Sequence, residues 1–449
     1  MLPPDFLGGV VEGFYGQAWA HHQRLHLMEE MAALGFNTYF YAPKNDLKHR
    51  AIWRECYSDS ELASLCELVE ACKRHQILFI FGLSPGLDIC FSDEAERNRI
   101  KSRFEQLWKI GVRHFALLFD DLPGKISDAD RSRYQSLAAA QCDVANVIFA
   151  WVRERFSDSR FLFCPTPYCD RMDRAELGGV GYLDEIGALL SSEIDVLWTG
   201  PEIVSGEISV ESIERLSRRI RRPPVLWDNL FANDYDFSRL FCGPYAGRSR
   251  ELRQTVRGIL INPNNEYPIN FIPLRTLADF LAGDGEWKPR EAFLSAAAEW
   301  LGHYKTVGKS LEFADLILLA DCFYLPHVDG PEAQKLLALI ERLLSQPIEH
   351  WGDGFELFSD VHSRIQTLFD RLTELRDRDL FDAWSRRAWA LKEELLLVGA
   401  ILAQKKAGRD IAEGVELEHC LPGTFRGGVL AKLQSFVSMD AHGLVRTLR

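Results

Sequence analysis

Residues 114–121 read His-Phe-Ala-Leu-Leu-Phe-Asp-Asp. The apolar run from Phe115 to Phe119 is typical of a strand that is buried on both faces of a sheet. Asp120 and Asp121 end that strand, so two adjacent carboxylates stand at its mouth, where different surroundings can give them different proton affinities. Taken alone, the run is compatible with an acidic turn or helix cap, and also with catalysis, because perturbed carboxylates cluster at functional sites.

Similar apolar runs recur along the first two-thirds of the chain, and each is followed by a helix or a helix-sized segment. The first helix closes at Gly35, Ser58 and Glu61 form a capping-box pattern, and one long helix is predicted from about Ser127 to Phe156. The predicted strands lie at residues 7–13, 38–43, 77–85, 115–121, 161–168, 195–201, 224–229 and 258–264. This alternation predicts an α/β fold, a (β/α)8 TIM barrel. A doubly wound open sheet is the competing fold, but it usually has fewer strands.

The pattern of the chain changes after Gly283-Asp-Gly285. From there leucine, phenylalanine and tryptophan recur with a helical period, as in residues 335–344 and 388–398. We therefore predict two domains, a catalytic barrel over residues 1–285 and an all-α helical bundle domain over residues 286–449.

Composition limits the classes of partner. The chain has 449 residues and a formal net charge of −13, which argues against nucleic acid or an anionic membrane surface as a partner. The start of the chain has no basic-then-apolar leader, and no apolar run has the length of a membrane-spanning helix. Ten scattered cysteines without a Cys-x-x-Cys pair indicate reduced thiols rather than a zinc site. We expect a cytoplasmic protein.

Polar and aromatic groups follow every predicted strand. Catalytic groups of this fold lie at the carboxyl ends of the strands, so these groups should share one rim. Carboxylates, amides, a lysine and flat aromatic rings suit a neutral polyhydroxylated ligand. A metal is disfavoured because no histidine stands at a strand end beside the acids, and no cofactor is predicted. The rim candidates are Glu12, Gly13, Tyr15, Lys44, Asn45, Asp46, Ser84, Asp88, Asp120, Asp121, Tyr168, Trp198, Thr199, Trp227, Asp228, Asn229, Asn233, Asp234, Asn262 and Asn264.

Single residues of that rim also have structural explanations. Lys44 could pair with a neighbouring carboxylate, Trp227 could be core, and Tyr168 and Asn264 could be turn residues. For Glu12 we favour a bracing role at the barrel mouth over contact with substrate. The functional interpretation depends on the convergence of the whole set.

The motifs in this order resemble glycoside hydrolase family 84, the family of the protein O-GlcNAcases and bacterial β-N-acetylglucosaminidases. The resemblance covers about residues 8–280. It is carried by Gly9-Val-Val-Glu-Gly-Phe-Tyr-Gly16, Tyr41-Ala-Pro-Lys-Asn-Asp46, Ala116-Leu-Leu-Phe-Asp-Asp121, Phe163-Cys-Pro-Thr-Pro-Tyr168, Val196-Leu-Trp-Thr-Gly-Pro201, Leu226-Trp-Asp-Asn229, Ala232-Asn-Asp-Tyr-Asp236 and Asn262-Pro-Asn264.

The resemblance implies a retaining exo-β-N-acetylglucosaminidase that removes O-linked GlcNAc from glycoconjugates, glycoproteins or peptides. In the family the 2-acetamido oxygen of the substrate attacks its own anomeric carbon and forms an oxazoline, so the enzyme supplies no nucleophile. Asp120 then matches the residue that orients the acetamide, and Asp121 matches the general acid/base. The implied binding residues are Gly13, Lys44, Asn229, Asp234 and Asn264 for hydroxyl and acetamide contacts, Tyr168 near the oxazoline, and Tyr15, Cys164 and Trp227 as pocket walls.

The resemblance leaves several alternatives open. Pro167 and Phe231 differ from close eukaryotic relatives, which carry an acid and a histidine there, so specificity at the rim is open. An endo-acting hyaluronidase- or chitinase-type hexosaminidase is one alternative function, and a non-catalytic glycan-binding barrel is another. The helical domain could be a stabilising appendage, whereas the resemblance suggests that it shapes a peptide-binding cleft or mediates a homodimer.

Overall fold

A computed structural model describes residues 5–408, 415–416, 428–439 and 444–447. The chain divides into two compact units. The first comprises the described residues up to Asp234 together with Tyr245–Asn265 and Leu277–Trp287. The second comprises Tyr235–Pro244, Glu266–Thr276 and the described residues from Lys288 onward. The predicted domain boundary between residues 285 and 286 stays a prediction.

Eight parallel strands of the first unit close into a barrel, which confirms the predicted (β/α)8 fold. Each strand pairs with the next along the chain, and the last pairs with the first through the register Leu7 to Gly258 and Val10 to Ile261. The strands are β1 Leu7–Glu12, β2 Thr38–Tyr41, β3 Leu78–Leu83, β4 His114–Leu118, β5 Phe161–Cys164, β6 Asp195–Trp198, β7 Val225–Asp228 and β8 Gly258–Ile261.

Helices alternate with these strands. Ser58 and Glu61 form the predicted capping box at the start of α2. The long helix predicted from Ser127 to Phe156 is instead two helices, α4 and α5, separated by residues 132–136. Ser136 accepts from the Ala139 N–H and begins the second one, a capping function that the helical period alone does not reveal. The helices are α1 His21–Ala33, α2 Asp59–Arg74, α3 Glu94–Lys109, α4 Asp128–Arg131, α5 Leu137–Arg153, α6 Asp170–Arg174, α7 Tyr182–Leu189, α8 Val210–Ile220 and α9 Phe271–Ala282.

Alternate residues of the strands pack together in the interior of the barrel. This alternation follows from the two-residue period of a strand, which sends every second side chain inward. The buried cluster contains Val11, Phe40, Ala42, Ile80, Ala116, Leu118, Leu162, Cys164, Leu197, Val225, Trp227 and Leu260. The interior is therefore a packed core, and only its upper end can hold a ligand.

The second unit is largely helical, as its leucine and aromatic pattern predicts. A continuous apolar cluster runs through it and includes Trp300, Trp351 and Trp384. A three-stranded antiparallel sheet, which the helical period did not predict, also belongs to this unit. The remaining elements are α10 Pro289–Trp300, α11 Phe313–Cys322, α12 Pro331–Ser345, α13 Gly354–Thr373, α14 Arg378–Lys406, β9 Val415–Glu416, α15 Gly428–Gln434, β10 Val437–Met439 and β11 Leu444–Thr447.

None of the helices in the described part of the chain combines the length and the apolar character needed to cross a membrane.

Candidate active site

The inward-facing rows of the barrel continue past the strand ends into four of the predicted site residues. Gly13 follows Val11 in its row, Lys44 follows Ala42, Asp120 follows Leu118, and Asn229 follows Trp227. Because each step is two residues, the same period that builds the core would carry these groups over the top of it. Cys164 and Trp227 are themselves members of the interior cluster and form its upper layer.

Asp120 is buried and carries a negative charge between two cations. Lys44 Nζ donates to Asp120 Oδ2 at 2.7 Å, and an Arg50 nitrogen stands 3.7 Å from the same oxygen. Burial by itself would raise the pKa of Asp120, but Lys44 and Arg50 outweigh that effect and hold the pKa below its ordinary value of 3.8. Asp120 is therefore ionised at neutral pH.

The second oxygen of this carboxylate is free to accept a hydrogen bond. Asp120 Oδ1 is buried and has no hydrogen-bond partner within the described part of the chain. Buried acceptors are normally paired, because an unpaired one forfeits its hydration without compensation. An ionised, buried oxygen in this position is prepared to bind an N–H group that arrives with a ligand.

Asp121 has different surroundings from its neighbour. Its side chain accepts the Tyr168 hydroxyl on Oδ1 at 2.7 Å and the Tyr15 hydroxyl on Oδ2 at 2.8 Å. Its backbone has φ 54°, in the left-handed region that few non-glycine residues adopt. Asp121 is exposed whereas Asp120 is buried. The two carboxylates thus have different partners and different access to solvent.

Tyr15 connects Asp121 to the loop after β7. Its backbone N–H donates to Asp234 Oδ2 at 2.7 Å, and its ring is 41% exposed. Burial and the charge of Asp121 raise the pKa of the Tyr15 hydroxyl, so it remains protonated and can donate. Burial also raises the pKa of Asp234, and the proximity of Asp121 contributes in the same direction.

Amides close the other side of the site. Asn229 Oδ1 accepts from Trp227 Nε1 at 3.0 Å and from Asn262 Nδ2 at 3.0 Å. Asn262 Oδ1 accepts in turn from the Gly13 N–H at 3.3 Å. The chain of contacts links the ends of β7, β8 and β1, so it holds the Trp227 indole in one orientation.

Gly13 lies directly against this indole, and a Cβ atom at Gly13 would stand 1.9 Å from the Trp227 ring. We therefore expect Gly13→Ala to displace Trp227, to lower the free energy of unfolding by about 1–3 kcal/mol as overpacking does, and to weaken ligand binding. Thermal unfolding and the KM of a substrate measure the two effects. Gly302→Ala is the control, because a Cβ there meets nothing within 4 Å. Equal behaviour of the two variants would contradict the packing argument.

Two further predicted residues, Cys164 and Asn264, are buried at or just after the ends of their strands. Cys164 is buried at the end of β5, and burial raises the pKa of its thiol well above the ordinary value, so it is a neutral wall rather than a nucleophile. Asn264 is fully buried after β8.

Two carboxylates of the predicted rim, Glu12 and Asp228, form ion pairs with arginines. Glu12 is fully buried and accepts from Arg24 at 2.6 Å and from the Tyr39 hydroxyl, which agrees with a bracing role. Asp228 is one residue out of step with the inward row. It binds Arg248 through two hydrogen bonds of 2.7 and 2.8 Å, and both side chains are fully buried.

The sequence interpretation missed Arg50. Its guanidinium contacts the main chain of both aspartates, yet it lies nine residues beyond the end of β2 in a loop rich in charged residues. The only sequence clue was its place shortly after Lys44. No group of three or more histidine, cysteine, aspartate or glutamate side chains in the described residues is arranged to hold a metal ion.

Comparisons with known proteins show what the chain is similar to. A family model described as beta-N-acetylglucosaminidase matches residues 8–315. The proteins named Protein O-GlcNAcase of Rattus norvegicus and of Mus musculus are each 47% identical over 273 residues, which is 61% of this chain. The matched stretch spans only 30% of the length of those curated relatives. A solved structure of an O-GlcNAc hydrolase mutant from Thermobaculum terrenum has a TM-score of 0.77 and 28% identity, and covers 89% of this chain and 85% of that one.

Proposed function

Because this chain belongs to glycoside hydrolase family 84, the beta-N-acetylglucosaminidases, we propose that it is a retaining exo-β-N-acetylglucosaminidase that removes O-linked GlcNAc from glycoproteins, peptides or other glycoconjugates. The reaction passes through an oxazoline that the substrate forms with its own acetamide. The relatives whose names include O-GlcNAcase or O-GlcNAc hydrolase support this choice of substrate.

The observation that carries the proposal is the unpaired Oδ1 of Asp120. A 2-acetamido sugar presents one amide N–H, and that N–H would satisfy the buried oxygen. The amide gains positive charge as its oxygen attacks the anomeric carbon, so an ionised carboxylate beside it stabilises the transition state more than the ground state. Lys44 and Arg50 keep Asp120 ionised for this task.

Asp121 moves the proton. The glycosidic oxygen needs a proton to leave, and the water that opens the oxazoline must lose one, so a single carboxyl group serves both steps. Its exposure gives it access to water, and the hydroxyls of Tyr15 and Tyr168 fix its orientation. Both roles require that the group reach the leaving oxygen and the incoming water.

The other rim residues bind the sugar. We assign hydroxyl and acetamide contacts to the Gly13 main chain, Lys44, Asn229, Asp234 and Asn264. Tyr168 stands near the oxazoline, and Tyr15, Cys164 and Trp227 wall the pocket. The amide network around Asn229 and the burial of Trp227 support these assignments.

Substrate assistance predicts a strong dependence on the N-acyl group. Fluorine withdraws electrons from the acetamide oxygen, so the N-trifluoroacetyl glycoside should react far more slowly than the N-acetyl one, and intermediate substitution should give intermediate rates. The measurement is kcat/KM over the N-acetyl, fluoroacetyl, difluoroacetyl and trifluoroacetyl series with one aryl leaving group. Equal rates along the series would exclude the acetamide as the nucleophile.

One assay tests the function itself. The wild-type protein is incubated with 4-methylumbelliferyl β-GlcNAc, its GalNAc analogue and a GlcNAc-modified peptide. The proposal expects hydrolysis of the first and release of GlcNAc from the peptide. Cleavage of hyaluronan or chitin polymers in preference to these substrates would favour an endo-acting enzyme. Binding without turnover of any of them would favour a glycan-binding barrel.

We also propose a cytoplasmic location and a homodimer. The described cysteines are all free thiols, several of them fully buried, which suits a reducing compartment. The homodimer rests on the resemblance to related enzymes. Cell fractionation and light scattering of the purified protein test the two proposals.

A further inference from the structure

Arg50 binds the main chain of the aspartate pair at several points. Its nitrogens donate to the carbonyl oxygens of Asp120 and Asp121 at 3.3 Å, and Nη1 donates to Ser84 Oγ at 2.8 Å. The guanidinium is a planar fork with five donors, so it can hold two successive carbonyls at once, which an ammonium group cannot do in the same geometry.

The loop that carries Arg50 is anchored to the end of β3. The Ser84 N–H donates to the His49 carbonyl at 2.9 Å, and His49 Nδ1 donates to the Gly82 carbonyl at 2.8 Å. Burial lowers the pKa of His49 to about 3, so the ring is neutral and adds no charge. Arg50 itself is only 7% exposed. The guanidinium therefore contacts the aspartates from a loop that is anchored to β3.

We propose that Arg50 is a positioning residue that fixes the main chain of Asp120 and Asp121 and thereby keeps their two carboxylates in separate roles. Asp121 has a left-handed backbone, which persists only where the surroundings determine it. That backbone directs Asp121 towards the hydroxyls of Tyr15 and Tyr168 while Asp120 stays in line with the interior row. This inference rests on the proposed function and adds the group that maintains the separation.

Arg50 also contributes charge, 3.7 Å from Asp120 Oδ2. The titratable and charged groups that face Asp120 are Lys44, Arg50 and His49 from the loop after β2, Asp121 beside it, Tyr15 from the loop after β1, and Cys164 and Tyr168 from the end of β5. Lys44 and Arg50 lower the pKa of Asp120. Loss of the Arg50 charge should therefore raise that pKa, and activity should be lost at a higher pH on acidification.

Two variants separate position from charge. Arg50→Lys keeps the charge but cannot bind both carbonyls in the same geometry. Arg50→Gln keeps an NH₂ group that can donate but removes the charge. Both should lower kcat by about 10²-fold, as small misplacements of catalytic groups do, with the greater loss on substrates with poor leaving groups and little change in KM. Only Arg50→Gln should also move the acidic limb of kcat/KM to higher pH, because the charge that lowers the pKa of Asp120 is lost.

Arg103→Lys is the matched control. Arg103 is also buried and donates to main-chain carbonyls of this loop, those of Lys48 and Trp53, but within the described residues it makes no hydrogen bond to the aspartates. If both Arg50 variants lower the rates on all leaving groups by the same factor, as we expect of Arg103→Lys, and Arg50→Gln keeps the wild-type pH limb, the proposal is overturned. If they fail to fold, Ser84→Ala decides, because it removes only the 2.8 Å anchor and should give a smaller loss of the same selectivity. An unchanged Ser84→Ala enzyme would overturn it.

Binding of a thiazoline analogue of the oxazoline by the wild-type protein distinguishes a failure of the proposed function from a failure of the proposed role of Arg50. If the wild type neither binds this analogue nor hydrolyses any 2-acetamido glycoside, the proposed function has failed. If the wild type does both and the variants behave like the control, only the role of Arg50 has failed.

Discussion

Asp120→Asn should lower kcat by about 10²–10³-fold, the loss typical of one preorganised electrostatic contact to a developing charge, on activated and unactivated substrates alike. The amide is nearly isosteric with the carboxylate but carries no charge, and one of its polar atoms is a donor that meets the acetamide N–H unfavourably. In the proposed mechanism, formation of the oxazoline needs this residue whatever the leaving group. A good leaving group should therefore not reduce the loss of kcat. The measurement is kcat and kcat/KM for a 2,4-dinitrophenyl and a methyl β-GlcNAc glycoside.

Asp88→Asn is the control for this prediction. Asp88 also follows a barrel strand, but its carboxylate is half-exposed and is bound by Arg54 at 2.5 Å. We expect near wild-type rates from it. An Asp120→Asn enzyme that retains activity on the activated glycoside would show that Asp120 does not act on the acetamide.

Asp121→Asn should show the opposite dependence on the leaving group. General acid catalysis contributes about 10²–10⁴-fold, and that factor should be lost on the methyl glycoside. The 2,4-dinitrophenolate group leaves without needing a proton, so formation of the oxazoline from this glycoside should proceed at nearly the wild-type rate. Added azide should then raise the turnover of the activated substrate, because azide attacks the oxazoline without needing a general base, and the product should be the β-glycosyl azide.

Azide should not restore the Asp120→Asn enzyme, whose defect precedes the oxazoline. The two variants thus serve as controls for each other on the same pair of substrates. Equal loss on both glycosides in Asp121→Asn, with no effect of azide, would remove Asp121 from the acid/base role.

The strand period explains why much of the site could be predicted from the sequence. Continuous apolar runs located the strands, and closure of the barrel brings their carboxyl ends to one rim. The two-residue period of a strand also explains the positions of Asp120, Lys44 and Asn229, because each of them continues an inward-facing row. Asp120 and Asp121 were assigned separate roles only through the family resemblance, because adjacency in the chain does not say which carboxylate is buried.

Long-range partners could not be predicted. Asp228 is the last residue of β7 and Asn229 is the next residue, yet Asp228 binds Arg248 and only Asn229 joins the amide network. Arg50 reaches the aspartates across 70 residues of chain. A pattern of local hydropathy carries no information on which of many arginines finds which carboxylate, because that choice depends on the closed fold.

The contacts that assemble the site join opposite ends of the barrel sequence. The Gly13 N–H meets Asn262 across 249 residues, and the Tyr15 N–H meets Asp234 across 219. Since β8 must pair with β1 before these contacts exist, a chain that has made seven strands has a growing core but no binding site. Such non-local closure is entropically costly, because the entropy of a long loop must be lost before the contacts form. We therefore expect a chain truncated before β8 to lack these contacts and, with them, the complete binding site.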